Sequence, residues 1–210
     1  MLELSYFVPS LTSSSIVFVF TLFIMGKRAL IILAEGAEEM EAVITIDTLR
    51  RGGIDVTVAG LAGKDTVKCS RMVSIVPDTS LEEAHATSPY DAVILPGGLK
   101  GSELLSESPL VGQILKQHEN GGQIIAAICA APIAFKSHSI ALGKQITSYP
   151  IMKERLVENY KYVDERVMVD GNVTTSQGPG TAFEFALSLV KQLAGKEAAD
   201  PLINQMLLKL

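Results

Sequence analysis

Short apolar runs alternate with amphipathic stretches from Lys27 to the end of this 210-residue chain, and this alternation limits the fold more than any other feature. Each run has the length of a strand and lacks polar alternation, which is typical of strands covered on both faces. The runs occupy residues 29–34, 56–61, 92–98 and 123–128. Strands that alternate with helices form βαβ units, so the pattern predicts an α/β fold with a mostly parallel sheet and helices on both faces.

The last third of the chain adds two elements to this prediction. The stretch VMVDGNVTT predicts a hairpin in which Asp170 and Gly171 form a two-residue turn. The stretch GPGTAFEFALSLVKQLAG predicts a helix with a glycine-rich start. Residues 197–208 predict a final amphipathic helix, which packs either on the core or on a partner subunit.

Charge and cysteine content exclude several classes of protein. The net charge of −5 provides no basic surface, so nucleic acid is not an expected partner. Cys69 and Cys129 are the only two cysteines, which is too few for a disulfide scaffold and indicates a reducing compartment, although one bridge stays open.

The motifs of cofactor and metal sites are also missing. No G-x-G-x-x-G follows the first strand, and neither HExxH nor paired CxxC motifs occur, so we expect no nicotinamide cofactor and no metal. His85, His118 and His138 lie in polar contexts, and we expect them at the surface rather than in catalysis.

The first 25 residues differ from the rest of the chain. They include SIVFVFTLFIM, an apolar run about half as long as a bilayer span, and no lysine or arginine precedes Lys27. A secretory signal and a mitochondrial presequence both need positive charge there. Two interpretations remain, a weak membrane-associating anchor and upstream sequence before an alternative start at Met25, and we favour the second. We therefore predict a leader over 1–25 and one domain over 26–210.

The stretch GGQIIAAICAAPIAF places Cys129 among four alanines, directly after a predicted strand. Ala130 and Ala131 can begin a helix, because Pro132 would then lie in the first turn, where its missing N–H costs nothing. A sharp strand-to-helix corner needs small neighbours, as in a nucleophile elbow, and the helix dipole there favours a thiolate. The alternative is that Cys129 is simply a small buried hydrophobe.

In an open α/β sheet the carboxyl ends of the strands meet in one crevice. Gly97 and Gly98 follow one strand and can present bare N–H groups to an oxyanion, or can form a plain tight turn. Another strand is followed by three acids, Glu38, Glu39 and Glu41, which either complement a helix dipole or include one that faces the thiol. Such an acid would form a coupled pair with Cys129, with its own pKa raised and that of the cysteine lowered.

Five blocks of the sequence together resemble one family. They are RALIILAEGAEEME, VTVAGLAGKDTVKCSR, LPGG, IIAAICAAP and SQGPGTAFEFAL. In order and without large gaps, they are similar to the parkinsonism-associated deglycase family, often called the DJ-one family, within the ThiJ/PfpI superfamily. The resemblance begins at about Gly26. It implies a flavodoxin-like fold, a homodimer, and a cytoplasmic protein that is also found in the nucleus and mitochondria.

The resemblance also implies roles for individual residues. The family's reactive cysteine corresponds to Cys129 and its pocket glutamate to Glu41. The oxyanion hole corresponds to Gly97, Gly98 and the N–H of Ala130, and a secondary redox cysteine corresponds to Cys69.

The family's pocket corresponds to Arg71, Tyr149, Gln177 and Pro179, and here the chain departs from its relatives. Tyr149 stands where close relatives have histidine, and Gln177 stands where they have arginine, whereas Arg71 is retained. We expect a weaker attraction for anions in this pocket. A second peripheral cysteine of some relatives is replaced by Val76.

Three functions compete at this stage. The first is a cofactor-free glyoxalase or deglycase, in which the Cys129 thiolate adds to methylglyoxal, glyoxal or their adducts on protein or nucleotide amines and Glu41 moves protons. The second is a redox sensor or chaperone that uses oxidation of Cys129, including a sulfinate stabilised by Glu41. Proteolysis is disfavoured, because protease relatives place histidine where this chain has Ala130.

Overall fold

The computed structural model describes residues 26–209, and seven strands within that range form one sheet. The sheet order is β10-β11-β7-β6-β1-β2-β5, and every neighbouring pair is parallel except β10 and β11. Two small pairs, β3 with β4 and β8 with β9, lie outside it. The strands are β1 (Arg28–Leu33), β2 (Asp55–Gly60), β3 (Val67–Lys68), β4 (Ser74–Ile75), β5 (Thr79–Ser80), β6 (Ala92–Leu95), β7 (Ile124–Ile128), β8 (Gln145–Ile146), β9 (Lys161–Tyr162), β10 (Val167–Asp170) and β11 (Val173–Ser176).

Eight α-helices are present in the described part of the chain. They are α1 (Glu39–Arg51), α2 (Leu81–Ala86), α3 (Leu99–Glu107), α4 (Pro109–Gly121), α5 (Pro132–Ser137), α6 (Lys153–Leu156), α7 (Ala182–Ala194) and α8 (Lys196–Gln205). Two short 3₁₀ turns, Pro150–Met152 and Pro179–Thr181, precede α6 and α7.

The central strands are apolar along their whole length because helices cover both faces of the sheet. Along β1, Leu30 and Ile32 belong to one buried cluster, while Ile31 and Leu33 belong to a second. The first cluster includes side chains from α2 to α5, and the second includes side chains from α1, α7 and α8. Both faces therefore exclude water, and the flavodoxin-like architecture predicted from the sequence is confirmed.

The hairpin before α7 is present, but its turn lies one residue later than the sequence predicted. Asp170 pairs with Val173, so the two loop residues are Gly171 and Asn172. Gly171 has φ of 65°, in the left-handed region that favours glycine. Asp170 stays in the strand because its carboxylate accepts a hydrogen bond from the N–H of Gln145 at 2.9 Å.

The last helix packs on the core of this chain, which is one of the two positions predicted for it. It ends at Gln205 rather than near residue 208, and it lies against α7 with Ala199 and Leu202 buried. The predicted leader over 1–25 lies outside the described residues. Among residues 26–209, no helix has the length and apolar character needed to cross a bilayer.

Candidate active site

Cys129 lies in the turn between β7 and α5 with φ of 63°. A left-handed backbone conformation costs a residue with a side chain roughly 1–3 kcal/mol of conformational free energy, so contacts with the surrounding residues must keep Cys129 in this conformation. Its N–H donates to the carbonyl of Ser176 at 2.9 Å, and its carbonyl accepts from the N–H of Tyr149 at 2.8 Å. The side chain is partly exposed. If Cys129 were only a small buried hydrophobe, neither the strained backbone nor the exposure would be needed. The geometry therefore favours the interpretation of this turn as a nucleophile elbow.

The small residues around Cys129 follow from how closely the loops approach one another. The flanking alanines Ala126, Ala127, Ala130 and Ala131 are all buried. A Cβ placed on Gly97 would lie 2.6 Å from the Cβ of Cys129, which is closer than real side chains come. The loop after β6 therefore touches the cysteine corner directly, and larger side chains would separate the two.

Glu41 is the acid that faces the thiol. It lies in the first turn of α1 and is 0% exposed. Its Oε2 accepts a hydrogen bond from the N–H of Gly97 at 2.8 Å, while its Oε1 is buried without a partner in the described chain. A carboxyl oxygen buried in this way is best accommodated when the group carries a proton.

The other two acids at the start of α1, Glu38 and Glu39, are hydrogen-bonded to the turn after β3. The carboxylate of Glu39 accepts hydrogen bonds from Ser70 Oγ at 2.9 Å and from the N–H of Arg71 at 2.8 Å. Glu38 accepts from the same Ser70 hydroxyl at 2.6 Å. Of the three acids, only Glu41 points toward Cys129, because Glu38 and Glu39 are held by the turn after β3.

Burial changes the titration of both members of the pair. It raises the pKa of Glu41 from its ordinary 4.5 to about 7. Burial and the negative charge of Glu41 raise the pKa of Cys129 to about 12, and hydrogen bonds from the N–H groups of Gly98 and Ala130 oppose that rise. The raised pKa of Glu41 agrees with the sequence prediction. The lowered pKa predicted for Cys129 is wrong, because burial of the thiol raises it and the charge of Glu41 adds to that rise.

The two groups therefore titrate as a coupled pair that retains a proton in the crevice. Protonation of Glu41 removes the repulsion that opposes the thiolate, and the carboxyl O–H can then donate to the sulfur of Cys129. Thiolate formation thus depends on where the shared proton resides.

The structure divides the three predicted oxyanion donors into two roles. The N–H groups of Gly98 and Ala130 face the sulfur of Cys129. The N–H of Gly97 is already bonded to Glu41, so it holds the acid and is not free for an oxyanion. Gly98 has φ of 84°, and a Cβ there would lie 2.7 Å from the backbone nitrogen of Glu38, so this position requires glycine.

Tyr149, Gln177 and Pro179 line one cleft of about 180 Å³ at the edge of the pair. Gly178 belongs to the same lining. A Cβ on Gly178 would lie 3.6 Å from Cδ2 of Tyr149 and 4.0 Å from Oε1 of Glu41. The cleft therefore borders the buried carboxyl of Glu41 at Gly178, and the Tyr149 ring lies on the other side of Gly178.

Arg71 does not join the other predicted pocket residues within this chain. It is exposed in a separate cleft of about 360 Å³ that it shares with Cys69. Its Nη1 donates to the carbonyl of Ser70 at 3.3 Å. The turn after β3 carries Arg71 away from the loop after β11, where Gln177 and Pro179 lie.

Cys69 lacks the environment of Cys129. It is 3% exposed. Burial, together with the charges of Glu39, Glu35 and Glu38, raises its pKa to about 11. No lowered pKa was predicted for Cys69, and this agrees.

The histidines take no part in the crevice. His118 is buried rather than at the surface, so that prediction is wrong, because it continues the inner face of α4 formed by Val111, Ile114 and Leu115. Its Nδ1 lies 2.8 Å from the carbonyl of Ile114, and burial lowers its pKa. Within residues 26–209, no three His, Cys, Asp or Glu side chains are grouped to hold a metal ion.

Sequence reasoning missed Arg166, which lines the cleft, and Asp164, which accepts a hydrogen bond from the lining residue Gln177. Val167 pairs with Ser176, so the antiparallel hairpin brings residue 166 beside Gln177. The Ser176 hydroxyl donates to the carbonyl of Arg166 at 2.7 Å. The predicted hairpin contained the signal for Arg166, because the correct strand register places residue 166 opposite Gln177, just after β11.

A cysteine at a strained strand-to-helix turn, beside a buried acid at the carboxyl edge of a parallel sheet, defines the class of α/β proteins with a nucleophile elbow. A profile of the family described as "DJ-1/PfpI family" matches residues 27–192. The chain belongs to the DJ-1/PfpI family.

Individual relatives agree with this assignment. The chain is 56% identical over 186 residues to the Parkinson disease protein 7 homolog of Danio rerio, covering 88% of this chain and 98% of that protein. It is 41% identical to the glutathione-independent glyoxalase DJR-1.2 of Caenorhabditis elegans, covering 87% and 97%. The crystal structure of Drosophila melanogaster DJ-1beta superposes with a TM-score of 0.87 at 55% identity, covering 89% of this chain and 100% of that one.

Proposed function

We propose that this protein is a cofactor-free glyoxalase that converts methylglyoxal to lactate and glyoxal to glycolate, with Cys129 as nucleophile and Glu41 as proton carrier. The observation that carries the proposal is the strained, partly exposed Cys129 beside a buried acid whose pKa is raised to about 7. A proton carrier works best when its pKa lies near the working pH. The relative from Caenorhabditis elegans that is named a glutathione-independent glyoxalase supports the same reaction class.

The reaction begins with addition to the aldehyde. The sulfur of Cys129 forms a bond to the aldehyde carbon while the proton of the pair passes to the aldehyde oxygen, which gives a hemithioacetal. The N–H groups of Gly98 and Ala130 lie on the sulfur side and stabilise negative charge on that oxygen during the addition.

The later steps move protons without any net change in oxidation state. Ionised Glu41 removes the proton from the carbon bonded to sulfur, and the resulting enediol receives a proton on the neighbouring carbon, which leaves a thioester. Water then cleaves the carbon–sulfur bond, so the hydroxy acid leaves and the thiol of Cys129 is restored. One acid with a pKa close to neutrality serves both the donating and the accepting step.

A deglycase reaction follows from the same chemistry. In an aldehyde adduct on an amine, the sulfur of Cys129 bonds to the former aldehyde carbon, and the amine leaves with a proton from Glu41. The product is the same hemithioacetal. A scavenger that consumes free methylglyoxal distinguishes this route, because direct attack on the adduct continues in its presence and capture of released aldehyde does not.

A second candidate function is redox sensing through the same cysteine. The partial exposure of Cys129 favours this function, because a peroxide must reach the sulfur. One peroxide converts the thiolate to a sulfenate and a second converts it to a sulfinate, with water released each time. Protein that is oxidised by peroxide but does not turn over methylglyoxal would favour this function over the glyoxalase.

We further propose a homodimer in the cytoplasm, with additional pools in the nucleus and mitochondria. Exposed apolar side chains on α1 and on the β3–β4 hairpin support self-association; they are Met40, Val43, Met72, Val73 and Val76. Both cysteines are free thiols, which suits a reducing compartment. Sedimentation of the purified protein tests the dimer, and fractionation of cells tests the location.

The decisive experiment for the glyoxalase incubates purified protein with methylglyoxal and measures lactate by NMR. We expect lactate from the wild type and from Cys69→Ser, but none from Cys129→Ala. Folding of Cys129→Ala is checked by circular dichroism, because the corner is already rich in alanine and tolerates another. Equal lactate production by Cys129→Ala would overturn the assignment of the nucleophile.

A further inference from the structure

The geometry points to Tyr149 and the Gln177–Asp164 pair as specificity determinants that select α-oxoaldehydes with a neutral aromatic side group and reject those that carry a carboxylate. This inference rests on the proposed glyoxalase function and adds its substrate class. It concerns the group attached to the ketone carbon, which has to lie in the cleft while the aldehyde carbon is bonded to Cys129.

The cleft lies where the side group of a substrate bound at Cys129 would extend. Gly178 lines the cleft and separates the Tyr149 ring from Oε1 of Glu41. The N–H of Tyr149 is bonded to the carbonyl of Cys129 at 2.8 Å, so the residue that carries the ring is fixed to the nucleophile's own turn. A substrate held by its aldehyde carbon at the sulfur can extend its other end only past these residues.

The walls of the cleft are suited to a flat apolar group. Tyr149 keeps 47% of its surface exposed, which is high for an aromatic residue next to a reactive site. Pro150 and Pro179 contribute further apolar, rigid surface to the same lining. An aromatic group can stack on a tyrosine ring, and such a pair is more favourable than its buried apolar area alone explains.

The one cation among the described lining residues is already neutralised. Nε of Arg166 donates to both carboxylate oxygens of Glu184, at 2.9 and 2.7 Å. Nη2 of the same guanidinium donates to the carbonyl of Gly180 at 2.7 Å. The guanidinium of Arg166 is thus hydrogen-bonded to Glu184 and to Gly180. Because Glu184 carries the opposite charge, Arg166 attracts a carboxylated substrate only weakly.

A negative charge bonded to one lining residue, Gln177, lacks such compensation. Nε2 of Gln177 donates to Oδ1 of Asp164 at 2.8 Å. The amide orients this exposed carboxylate but, being neutral, does not cancel its charge. A carboxylate on a substrate that lies along Gln177 would therefore be near a like charge, and the repulsion would be screened by salt.

The test compares phenylglyoxal with 4-carboxyphenylglyoxal, which differ by one carboxylate, using kcat/KM at low ionic strength. We expect the wild type to prefer phenylglyoxal about five- to tenfold, because one like charge a few ångströms away in water has roughly that effect. The preference should shrink in 0.5 M salt. Asp164→Asn should reduce the preference several-fold, and Gln177→Arg should reduce it further by adding a cation.

Matched variants separate charge from packing. Asp65→Asn removes the same charge from an exposed loop elsewhere and should leave the preference unchanged. Tyr149→Phe should keep the advantage of phenylglyoxal over methylglyoxal, whereas Tyr149→Ala should lose it, because stacking needs the ring and not the hydroxyl. Failure of the wild type to turn over methylglyoxal would overturn the proposed function and this inference with it. Normal turnover of methylglyoxal with equal kcat/KM for the two phenyl substrates would overturn the inference alone.

Discussion

The N–H of Gly97 donates a 2.8 Å hydrogen bond to Oε2 of Glu41, which joins the loop after β6 to the first turn of α1. The bond orients the acid that faces Cys129 and takes up a donor that an oxyanion would otherwise use. A Cβ on Gly97 would lie 2.6 Å from this same oxygen. The absence of a side chain at residue 97 is therefore a condition for the Glu41–Cys129 geometry.

Gly97→Ala should reduce both stability and activity. The added methyl group has to displace Glu41 or the Cys129 turn, and overpacking of this kind typically costs about 1–3 kcal/mol. The free energy of unfolding from urea titration and the rate of lactate formation measure the two effects. Gly26→Ala is the control, because its Cβ would meet nothing closer than 3.9 Å. A Gly97→Ala protein with wild-type stability and rate would contradict the packing argument.

Glu41→Gln should allow the hemithioacetal to form but slow its conversion. The glutamine side chain fits the site but cannot remove the carbon-bound proton, and loss of a positioned acid or base costs roughly two to four orders of magnitude. Intact-protein mass spectrometry under rapid quenching should show adduct that accumulates on Cys129. Glu39→Gln, a change to a buried acid that faces the other way, should retain most of the rate. A wild-type rate in Glu41→Gln would mean that another group moves the proton.

The pair should also make stability depend on pH. The pKa of Glu41 rises from 4.5 to about 7 on folding, so the folded protein binds this proton more tightly than the unfolded chain does. The stabilisation is complete below pH 4.5 and is lost as the pH rises to about 7, because the unfolded chain releases the proton first. The linkage is on the order of 3 kcal/mol, at 1.36 kcal/mol for each pKa unit.

Glu41→Gln tests this linkage because its amide stays neutral throughout. Urea unfolding of both proteins between pH 4.5 and 7.5 gives the difference in their free energies of unfolding. We expect the wild type to lose stability relative to Glu41→Gln as the pH rises through this window. A constant difference across the window would show that Glu41 keeps an ordinary pKa in the folded protein.

The architecture could be predicted from the sequence, because strands that are buried on both faces consist almost entirely of apolar residues. Strands such as β1 and β7 appear in the sequence as continuous apolar runs. The turn after β7 appears as a group of small residues around Cys129. The inner face of α4 shows where this reasoning fails. His118 is polar as a residue type, but the spacing from Val111 and Ile114 places it inside, and periodicity there outweighs polarity.

The directions of main-chain N–H groups and the direction of the pKa shift of Cys129 were beyond the reach of the sequence. The bond from Gly97 depends on how two distant loops meet, and no residue type records where a backbone N–H points. The separation of Arg71 from Gln177 depends in the same way on the course of the turn after β3. The raised pKa of Cys129 required knowing that the thiol itself is buried and that the charge of Glu41 lies close to it, because a helix dipole alone favours the opposite shift.

Mild peroxide should oxidise Cys129 before Cys69. Cys69 is 3% exposed, whereas Cys129 is partly exposed, so a peroxide reaches Cys129 more readily. Peptide mass spectrometry during a peroxide titration gives the order. Earlier oxidation of Cys69 would contradict the assignment of Cys129 as the accessible thiol.

The product at Cys129 should stop at the sulfinate when residue 41 can donate a hydrogen bond. Protonated Glu41 can donate to a sulfinate oxygen, and this interaction opposes further oxidation to the sulfonate. Glu41→Gln keeps a donor in its amide N–H and should also stop at two added oxygens. Glu41→Leu fills similar space without a donor and should proceed to three. Circular dichroism confirms that the leucine variant is folded before oxidation. Equal sulfinate yields from all three proteins would show that the hydrogen bond from residue 41 does not control the oxidation state of Cys129.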